Sequence, residues 1–570
     1  MKNLFKSGFA LLAAAVLLPS CGCYTSMMKT LDIEEAITCS PELVTLKGDN
    51  AITTASVAVP AKAFSEYAVL KLTPVLVYDG GESAGTPVFF QGESVEDNYQ
   101  VIPAKEDATV TVEISIPYTE EMRLSKLIFR GEAKCLKNGS KISEFTALPD
   151  EINVAWGVSA LQTLANNYAQ VAIAPDALER VTYLNQDAKI MFQINSSTVR
   201  STELNSEEIE ALEQFIIANN GDAKKTVGDV YAQSYASPDG PLNYNDNLST
   251  KRGETTKKAL ETRFKKNDVP AETFDVNAMG EDWEGFKELV AASDIEDKAL
   301  ILQVLSMYSD PQVRDAEIKN MTAAFTVLAE KILPELRRSK MSVNVRVEGL
   351  TDDELKAAVA TDINSLTVEE MLFSATLYSD NATKLKIYTA AANKYNDFRA
   401  WNNMGVVNAW EGNYDDAKSN FTKAAGINNS NAQVVNNLGV VALAEGNKEE
   451  AAKYFAASSA PEAKYNKGLV ELANGNYASA ISSLDGYNKG LAQLLNGDVA
   501  AAKATLANET CWASDYVKAV IAANEGNSSS FYSNLESSIS KGGSDVVALA
   551  ETEVNFMDYF EEADFQALVK

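Results

Sequence analysis

The residues best suited to binding chemistry lie in one stretch, Ser234 to Arg252. It contains a carboxylate at Asp239 and a guanidinium at Arg252. A guanidinium can hold both oxygens of a carboxylate, and the free N–H groups at the start of a helix also favour an anion. Arg252 follows Asn245 by seven residues, so it faces the same side as the predicted helix start. The stretch therefore predicts a site for an anionic group.

Two other interpretations of these charged residues stay open at this point. Arg252 is equally compatible with a salt bridge or a fold-stabilising role inside the domain. Asp239 lies in a Ser-Pro-Asp-Gly sequence, in which Pro, Asp and Gly are favoured for turn formation alone.

The composition disfavours several function classes. The chain of 570 residues contains no histidine, which removes the usual general base, the usual zinc ligand and any Ser-His or Cys-His dyad. Its formal net charge of −29 repels phosphate backbones and anionic lipid headgroups. We therefore expect a protein that is not an enzyme and that has no metal, no cofactor and no nucleic-acid partner.

The charged stretch resembles the signature of the OmpA-type peptidoglycan-binding domain. Six residues fall at the family spacing: Gly240, Tyr244, Asn245, Leu248, Ser249 and Arg252. The resemblance implies binding of the diaminopimelate of the peptidoglycan stem peptide, with Arg252 on its carboxylate, Asp239 on its ammonium, and Ser237 and Asn245 beside them. Ser237 occupies the position of the family's ligand-binding Asp, and the nearest carboxylate is Asp239.

The surrounding elements extend this resemblance over residues 156–350, which predicts an OmpA-like α/β domain. The segment 189–200 resembles the family's opening strand, with matches at Phe192, Asn195, Ser196 and Ser197. Residues 282–337 are predicted to be a helical insertion, because apolar positions recur there at helical spacing. The closing strand follows Leu336-Arg337-Arg338, a sequence that resembles the Arg-Arg pair of the family.

The region before this domain is predicted to be a β-sandwich over residues 40–155. Four segments in it alternate apolar and polar residues or are β-branched, and turn signals such as Asp79-Gly80-Gly81 separate them. Cys39 and Cys135, near the two ends of the region, are candidates for a disulfide; two buried free thiols are the alternative.

The C-terminal part repeats and is predicted to be an α-solenoid over residues 366–570. A 34-residue period relates Gly405 to Gly439 and Ala417 to Ala451, and it resembles the tetratricopeptide repeat. Asparagine recurs at one repeat position, in Asn403, Asn437, Asn466 and Asn488, and we interpret this row as structural. The expected concave face, with Asn402, Val406, Gln433 and Val440, has few cations, so we expect an unknown protein partner there rather than an acidic peptide tail.

The N-terminus predicts a lipoprotein signal peptide over residues 1–20. A short apolar run ends in Leu18-Pro19-Ser20-Cys21, which resembles a bacterial lipobox with lipidation at Cys21; an ordinary signal peptide is the alternative. Residues 21–39 are predicted to be a linker. Lipoproteins of Bacteroidetes type that reach the surface often carry acids just after the lipidated Cys. Residues 22–29 contain none, so we expect a periplasm-facing outer-membrane protein held only by its lipid.

Together these features predict a non-enzymatic envelope scaffold. It would contact peptidoglycan through the OmpA-like domain and a protein through the repeats. The alternative is an assembly protein of a surface or secretion machine whose OmpA-like domain has lost peptidoglycan binding.

Overall fold

The structure of this chain is a computed structural model that describes residues 37–137, 141–142, 145–147, 151–166, 168–270 and 273–570. They form two compact units. The first unit combines the chain up to Pro175 with Asp380–Lys570, and the second unit is Asp176–Ser379. None of the helices in the described ranges has the length and apolar character that a membrane span requires.

These units do not divide the chain where the sequence analysis divided it. Residues 156–175, assigned above to the OmpA-like domain, belong to the first unit, and residues 366–379, assigned above to the solenoid, belong to the second unit. The predicted signal peptide, Cys21 and most of the predicted linker lie outside the described residues. The last residues of that linker, 37–39, already form part of the first strand.

The N-terminal part of the first unit is strand-rich, as predicted. Its strands are β1 Ile37–Lys47, β2 Asn50–Val59, β3 Ala68–Tyr78, β4 Gly81–Ala84, β5 Val88–Gly92, β6 Gln100–Ile102, β7 Ala108–Pro117, β8 Ser125–Lys137, β9 Lys141–Ile142, β10 Thr146–Ala147, β11 Ile152–Trp156 and β12 Val158–Ser159. One sheet has the order β12-β1-β2-β7. The other has the order β10-β8-β3-β5-β6, with β4 beside β3 and with β9 and β11 beside β8.

The two sheets share one apolar core. Strand β7 shows the period of two that places alternate side chains inside, with Val110, Val112, Ile114 and Ile116 all buried. They belong to the same buried cluster as Leu127 and Phe129 of the other sheet. This shared core makes the region a sandwich.

The two cysteines proposed as a disulfide do not pair with each other. Cys39 is a free thiol, whereas Cys135 is disulfide-bonded. The two residues belong to different sheets, Cys39 to β1 and Cys135 to β8. The Cys39 thiol instead lies 3.7 Å from the carbonyl oxygen of Val154, and burial raises its pKa.

The second unit is a four-stranded sheet with helices. Its elements are β13 Val181–Met191, α1 Ser201–Leu204, α2 Glu207–Asn219, β14 Lys225–Ala236, α3 Leu242–Lys266, β15 Phe274–Glu281, α4 Trp283–Ala292, α5 Lys298–Met307, α6 Pro311–Asn320, α7 Thr322–Lys331, β16 Arg338–Glu348, α8 Asp352–Thr361 and α9 Val368–Thr376. The strand order is β13-β16-β14-β15, with β14 and β15 parallel and the other pairs antiparallel.

Two apolar clusters hold this unit together. One packs helices α2 and α3 on the sheet, through residues such as Leu212, Phe264 and Val343. The other lies within the four helices α4–α7 and contains Phe286, Ile301 and Leu328. The helices between β15 and β16 therefore have a core of their own and leave the sheet positions intact.

The C-terminal part of the first unit is helical. Its helices are α10 Asn381–Tyr395, α11 Phe398–Trp410, α12 Tyr414–Ile427, α13 Ala432–Ala444, α14 Lys448–Ala457, α15 Pro461–Ala473, α16 Tyr477–Ile481, α17 Gly486–Leu495, α18 Val499–Leu506, α19 Trp512–Asn524, α20 Ser528–Gly542, α21 Ser544–Thr552 and α22 Ala563–Leu568.

Close helix approach explains the glycines of the repeat. A Cβ built on Gly405 of α11 would lie 2.5 Å from the ring of Phe421, and one on Gly439 of α13 would lie 2.6 Å from the ring of Phe455. Each aromatic ring thus fills the space that the glycine of the preceding helix leaves, which is the packing expected from the 34-residue period.

Candidate functional site

The loop between β14 and α3 contains the predicted binding residues, and its own hydrogen bonds fix its shape. Ser237 is buried, and its hydroxyl donates to Oδ1 of Asp239 at 2.6 Å. The N–H of Asp239 donates back to the carbonyl of Ser237 at 2.9 Å. The carboxylate to which the resemblance assigned an ammonium ligand is thus held directly beside Ser237.

Asn245 fastens this loop to the neighbouring strand. It is 3% exposed, and its Nδ2 lies 3.2 Å from the carbonyl of Ser237, 3.3 Å from that of Gly240 and 2.7 Å from Oε1 of Glu281. Glu281 also accepts from the indole N–H of Trp283 at 2.9 Å, and burial raises the pKa of this carboxyl. Asn245 therefore positions the loop and turns its side chain away from solvent.

Arg252 is the most deeply buried of the predicted residues, at 1% exposure. Its guanidinium donates to three backbone carbonyls: Nε to Ser196 at 3.0 Å, Nη1 to Tyr235 at 2.8 Å and Nη2 to Gln193 at 3.2 Å. It also lies 5.1 Å from the centre of the Phe192 ring. Burial and the nearby charge of Arg337 lower the pKa of Arg252 to about 10. The guanidinium therefore ties the opening strand to the signature loop.

Arg337 supplies the accessible cation that the sequence analysis did not assign to the site. Its Nη2 lies 3.4 Å from Oδ2 of Asp239, and its Nε donates to the hydroxyl of Ser237 at 3.3 Å. The side chains of Arg337 and Asp239 keep 11% and 20% of their surface exposed. The signal that could have found it was the Arg-Arg pair before the closing strand.

The neighbouring Arg338 pairs with a different carboxylate. It forms a buried ion pair with Asp282, with Nη2 at 2.7 Å and Nε at 3.1 Å from the same carboxylate oxygen. Asp282 also accepts from the N–H of Gly285 at the start of α4.

We call Ser237, Asp239, Arg252 and Arg337 the charged cluster. It holds two guanidiniums and one carboxylate beside the start of α3, a helix of 25 residues. The excess positive charge and the helix start both favour an anion, while Asp239 can accept from a cationic group. The arrangement suits a ligand with a carboxylate and an ammonium close together.

A second binding geometry lies in the solenoid of the first unit. The four asparagines of the repeat row, here called the asparagine row, face residues 166 and 168–175, here called the groove segment. Asn403 bonds Ala174, Asn437 bonds Ala172, Asn466 bonds Gln170 and Asn488 bonds Asn166. The concave face that the sequence analysis left for a protein partner is thus lined with contacts to the chain itself.

Each asparagine of the row forms two hydrogen bonds with one residue of the groove segment. Oδ1 of Asn437 accepts from the N–H of Ala172 at 2.7 Å, and its Nδ2 donates to the carbonyl of Ala172 at 2.8 Å. For Asn403 and Ala174 the two distances are 2.8 and 2.9 Å. The side-chain amides therefore bond the main chain in the same way as a neighbouring strand would.

Two further asparagines complete this network. Asn402 donates to the carbonyl of Ala172 at 3.0 Å, and Asn436 donates to that of Gln170 at 2.9 Å. Nδ2 of Asn437 donates to Oδ1 of Asn402 at 2.9 Å, and all of these amides are buried. The asparagine row, for which we predicted a structural role, thus makes its contacts with the groove segment.

In the part of the chain that the structure describes, no group of three or more cysteine or acidic side chains is placed to hold a metal ion.

Comparison with known proteins identifies the repeats. A family model described as tetratricopeptide repeat matches residues 411–458. Curated proteins yield no match. Residues 411–458 therefore match the tetratricopeptide repeat, a fold that typically acts as a scaffold for protein–protein interaction, within a C-terminal helical region that is TPR-like.

Solved structures with similarity to the chain include the following three proteins. A tetratricopeptide repeat protein from Parabacteroides merdae is 14% identical, covering 35% of this chain and 90% of its own, with a TM-score of 0.28. YrrB, a TPR protein with an unusual peptide-binding site, is 17% identical, covering 36% and 100%, with a TM-score of 0.22. Yeast Tom70 is 14% identical, covering 56% and 76%, with a TM-score of 0.25.

Proposed function

We propose that this protein is a non-enzymatic, lipid-anchored scaffold of the outer membrane that contacts the peptidoglycan stem peptide through the charged cluster. The observation that carries the proposal is the placement of Asp239 between Ser237 and Arg337, with both charged side chains partly exposed at the start of α3.

The stem peptide offers the matching chemistry. The free end of diaminopimelate carries a carboxylate and an ammonium. The carboxylate binds the guanidinium of Arg337 and the free N–H groups at the start of α3, and the ammonium binds Asp239. Ser237 keeps Asp239 in place through its hydroxyl. The relocated carboxylate thus replaces the acid that the family has at the Ser237 position.

Arg252 and Asn245 act in this proposal as positioning residues. The three carbonyl contacts of Arg252 hold residues 193–196 and Tyr235 around the loop. Its charge adds to the positive potential at the ligand carboxylate, because Arg252 is close enough to Arg337 to lower its own pKa. This differs from the direct contact that the resemblance implies for Arg252.

The remaining parts supply attachment and partners. Cys21 carries the lipid that keeps the protein at the periplasmic face of the outer membrane, and the repeats supply a surface for another protein. The sandwich packs within the same unit as the repeats, since Tyr477 of α16 donates to the carbonyl of Leu46 in β1 at 3.1 Å.

Binding to purified diaminopimelate-type sacculi tests the proposed wall contact. The protein would be produced as the Cys21→Ser variant, so that no lipid adds to the sedimentation. We expect this protein to sediment with sacculi, and we expect Arg337→Ala and Asp239→Ala each to lower the bound fraction at least about tenfold, because each removes a charged partner of the ligand.

Arg346→Ala is the matched control. Arg346 pairs with Glu348 on the same strand, and its side chain is 42% exposed, so its loss removes a positive charge of the second unit outside the cluster. Retained binding by Arg337→Ala, or equal losses in Arg337→Ala and Arg346→Ala, would contradict a wall contact at the cluster.

A second function is favoured by one feature of the same cluster. Asp239 already bonds Ser237 and Arg337, so the site is internally satisfied without a ligand. This supports an assembly protein of a surface or secretion machine whose OmpA-like domain has kept the fold and lost the wall contact. Absence of any sedimentation with sacculi, with a folded protein, is the outcome that this alternative expects.

A further inference from the structure

The groove segment is bound through its main chain. At Asn166, Gln170, Ala172 and Ala174, both the N–H and the carbonyl group bond one asparagine side chain. Main-chain groups are present in every peptide, so these contacts do not select a side chain. They require an extended backbone from Gln170 to Ala174, because Gln170, Ala172 and Ala174 are two apart along the chain.

The space at each position of the groove determines which peptide side chains fit there. Ala172 and Ala174 are each 1% exposed, so their positions accept only small side chains. Val171 and Ile173 alternate with these alanines along the chain. They are partly buried and pack against the apolar cluster that contains Val406 and Phe421. In contrast, Tyr168 is 80% exposed. The groove therefore fits an extended peptide with small residues at alternate positions and an apolar residue between them.

The segment is fastened at its sandwich end by side-chain contacts of its own. Gln162, just before it, donates to the carbonyls of Gly48 and Ala473 at 3.1 and 3.0 Å. Tyr487 donates to the carbonyl of Leu164 at 3.0 Å. Such a tether gives the segment an effective concentration on the order of millimolar at the groove. A peptide from another protein must compete with that concentration.

We propose that the asparagine row is a peptide-binding site whose resident ligand is the groove segment of the same chain. The segment closes the groove to other proteins. A peptide with small residues at alternate positions enters only when the segment withdraws. This inference is independent of the proposed wall contact, because it involves residues of the first unit alone.

The test uses a fluorescently labelled peptide of residues 165–175 and the full chain carrying Cys21→Ser. The double variant Ala172→Glu with Ala174→Glu places two charged, larger side chains where only methyl groups fit, so it expels the segment from the groove. We expect this variant to bind the peptide at least about a hundredfold more tightly than the parent protein does, because the competing tethered ligand is gone.

Two matched variants locate the binding. Tyr168→Glu adds the same charge at an exposed position of the same segment, and we expect it to bind the peptide as weakly as the parent. Adding Asn403→Ala and Asn437→Ala to the double variant removes two of the main-chain partners, and we expect peptide binding to be lost. Equal peptide binding by the parent and the double variant would show that the groove is open and would overturn the proposal. A folded double variant that does not bind the peptide would overturn it as well.

Hydrogen exchange on the parent protein decides the matter if the double variant does not fold. We expect the amide protons of Ala172 and Ala174 to exchange as slowly as those inside α13. Exchange as fast as that of the Gly446 turn would mean that the segment does not reside in the groove, and the proposal would fail. Arg337→Ala should leave both measurements unchanged, so that failure of the wall contact and failure of the groove proposal are distinguishable.

Discussion

The asparagine row and the charged cluster both bond backbone carbonyls through planar nitrogen groups, and they differ in what they leave unsatisfied. A side-chain amide donates and accepts, so each asparagine of the row satisfies both the N–H and the carbonyl of one residue in the groove segment. A guanidinium only donates, so Arg252 satisfies three carbonyls and still leaves a buried positive charge. One region is electrically neutral and complete, and the other keeps a net charge that a ligand can use.

The difference separates holding a chain from binding a ligand. Neutral amides in the groove give contacts that do not depend on charge, and the groove segment already occupies them. In the charged cluster, Arg337 and Asp239 stay partly exposed while Arg252, beside them, is buried. Changes that damage the first region should therefore reduce stability, and changes at the exposed residues of the second should reduce binding.

The largest effect is expected from Asn437→Leu in the asparagine row. This substitution leaves the N–H of Ala172 and Oδ1 of Asn402 without their partner in a buried place. We expect the free energy of unfolding of the first unit to fall by about 3 kcal/mol, since each buried unpaired group costs about 1–3 kcal/mol. Urea denaturation followed by circular dichroism measures it.

Asn429→Leu is the control for that change, because Asn429 is exposed in the turn between two repeats. Its unfolding free energy should stay within about 0.5 kcal/mol of the parent value. If both variants lose equal stability, the amide contacts do not hold the groove segment.

The next largest effect is expected to distinguish the two arginines of the charged cluster. Arg252→Ala removes the guanidinium donor from the carbonyls of Ser196 and Tyr235, while the carbonyl of Gln193 still accepts from the N–H of Ser196, and we expect the second unit to lose about 2–3 kcal/mol of stability. Arg337→Ala removes only two long contacts, at 3.3 and 3.4 Å, so it should cost less stability than Arg252→Ala while it weakens sacculus binding. Thermal unfolding and sedimentation of the two variants test this division.

Lys251→Ala supplies the reference for both, since Lys251 is the exposed neighbour of Arg252 on α3. A stable, fully folded Arg252→Ala protein that fails to bind sacculi would return Arg252 to the direct ligand role implied by the family resemblance.

The sequence predicted the repeats because the glycine and aromatic positions report a local event, the packing of paired helices within one 34-residue period. It could not predict the occupant of the groove. Ala174 lies 229 residues before Asn403 along the chain, and the groove segment has no unusual composition that would relate it to the asparagines. Main-chain contacts leave almost no trace in sequence, since they are made by groups that every residue has.

The sequence predicted where the candidate residues lie along the chain, but it did not predict how deeply each one is buried. Spacing brought Ser237, Asp239, Asn245 and Arg252 to one loop and helix start, where the structure has them. The burial of Arg252 depends on Phe192 and on carbonyls of a separate strand, which spacing cannot report. The failed pairing of Cys39 with Cys135 has the same origin, because positions near both ends of a region do not tell which sheet each strand joins.

Salt should separate the two regions by a smaller, graded effect. The distance over which charges are screened falls from about 10 Å at 0.1 M to about 3 Å at 1 M ionic strength. We expect sacculus binding through Arg337 and Asp239 to weaken about tenfold over this range, and peptide binding by the groove to change less than about twofold. Salt-independent sacculus binding would mean that the charged cluster is not the contact.

The smallest effect is the pH dependence that Glu281 gives the second unit. Burial raises the pKa of Glu281 above its ordinary value of 4.5, so the folded state holds this proton more strongly than the unfolded chain does. Well below pH 4.5 the Glu281 carboxyl is protonated in both the folded and the unfolded state, so it does not change the free energy of unfolding. As the pH rises past 4.5 the unfolded chain releases its proton first, and stability declines until the pH exceeds the folded-state pKa.

Glu281→Gln should remove that decline, because the amide does not titrate and its oxygen still accepts from Asn245. The amide nitrogen cannot accept from the indole of Trp283, so the variant is expected to be slightly less stable than the parent at pH 4 and to differ less from it at pH 7. Thermal unfolding at the two pH values measures this. The amides of the asparagine row have no proton to lose in this range. If the stability of the first unit also declines with pH, and Glu281→Gln removes that decline, then Glu281 acts beyond its own unit.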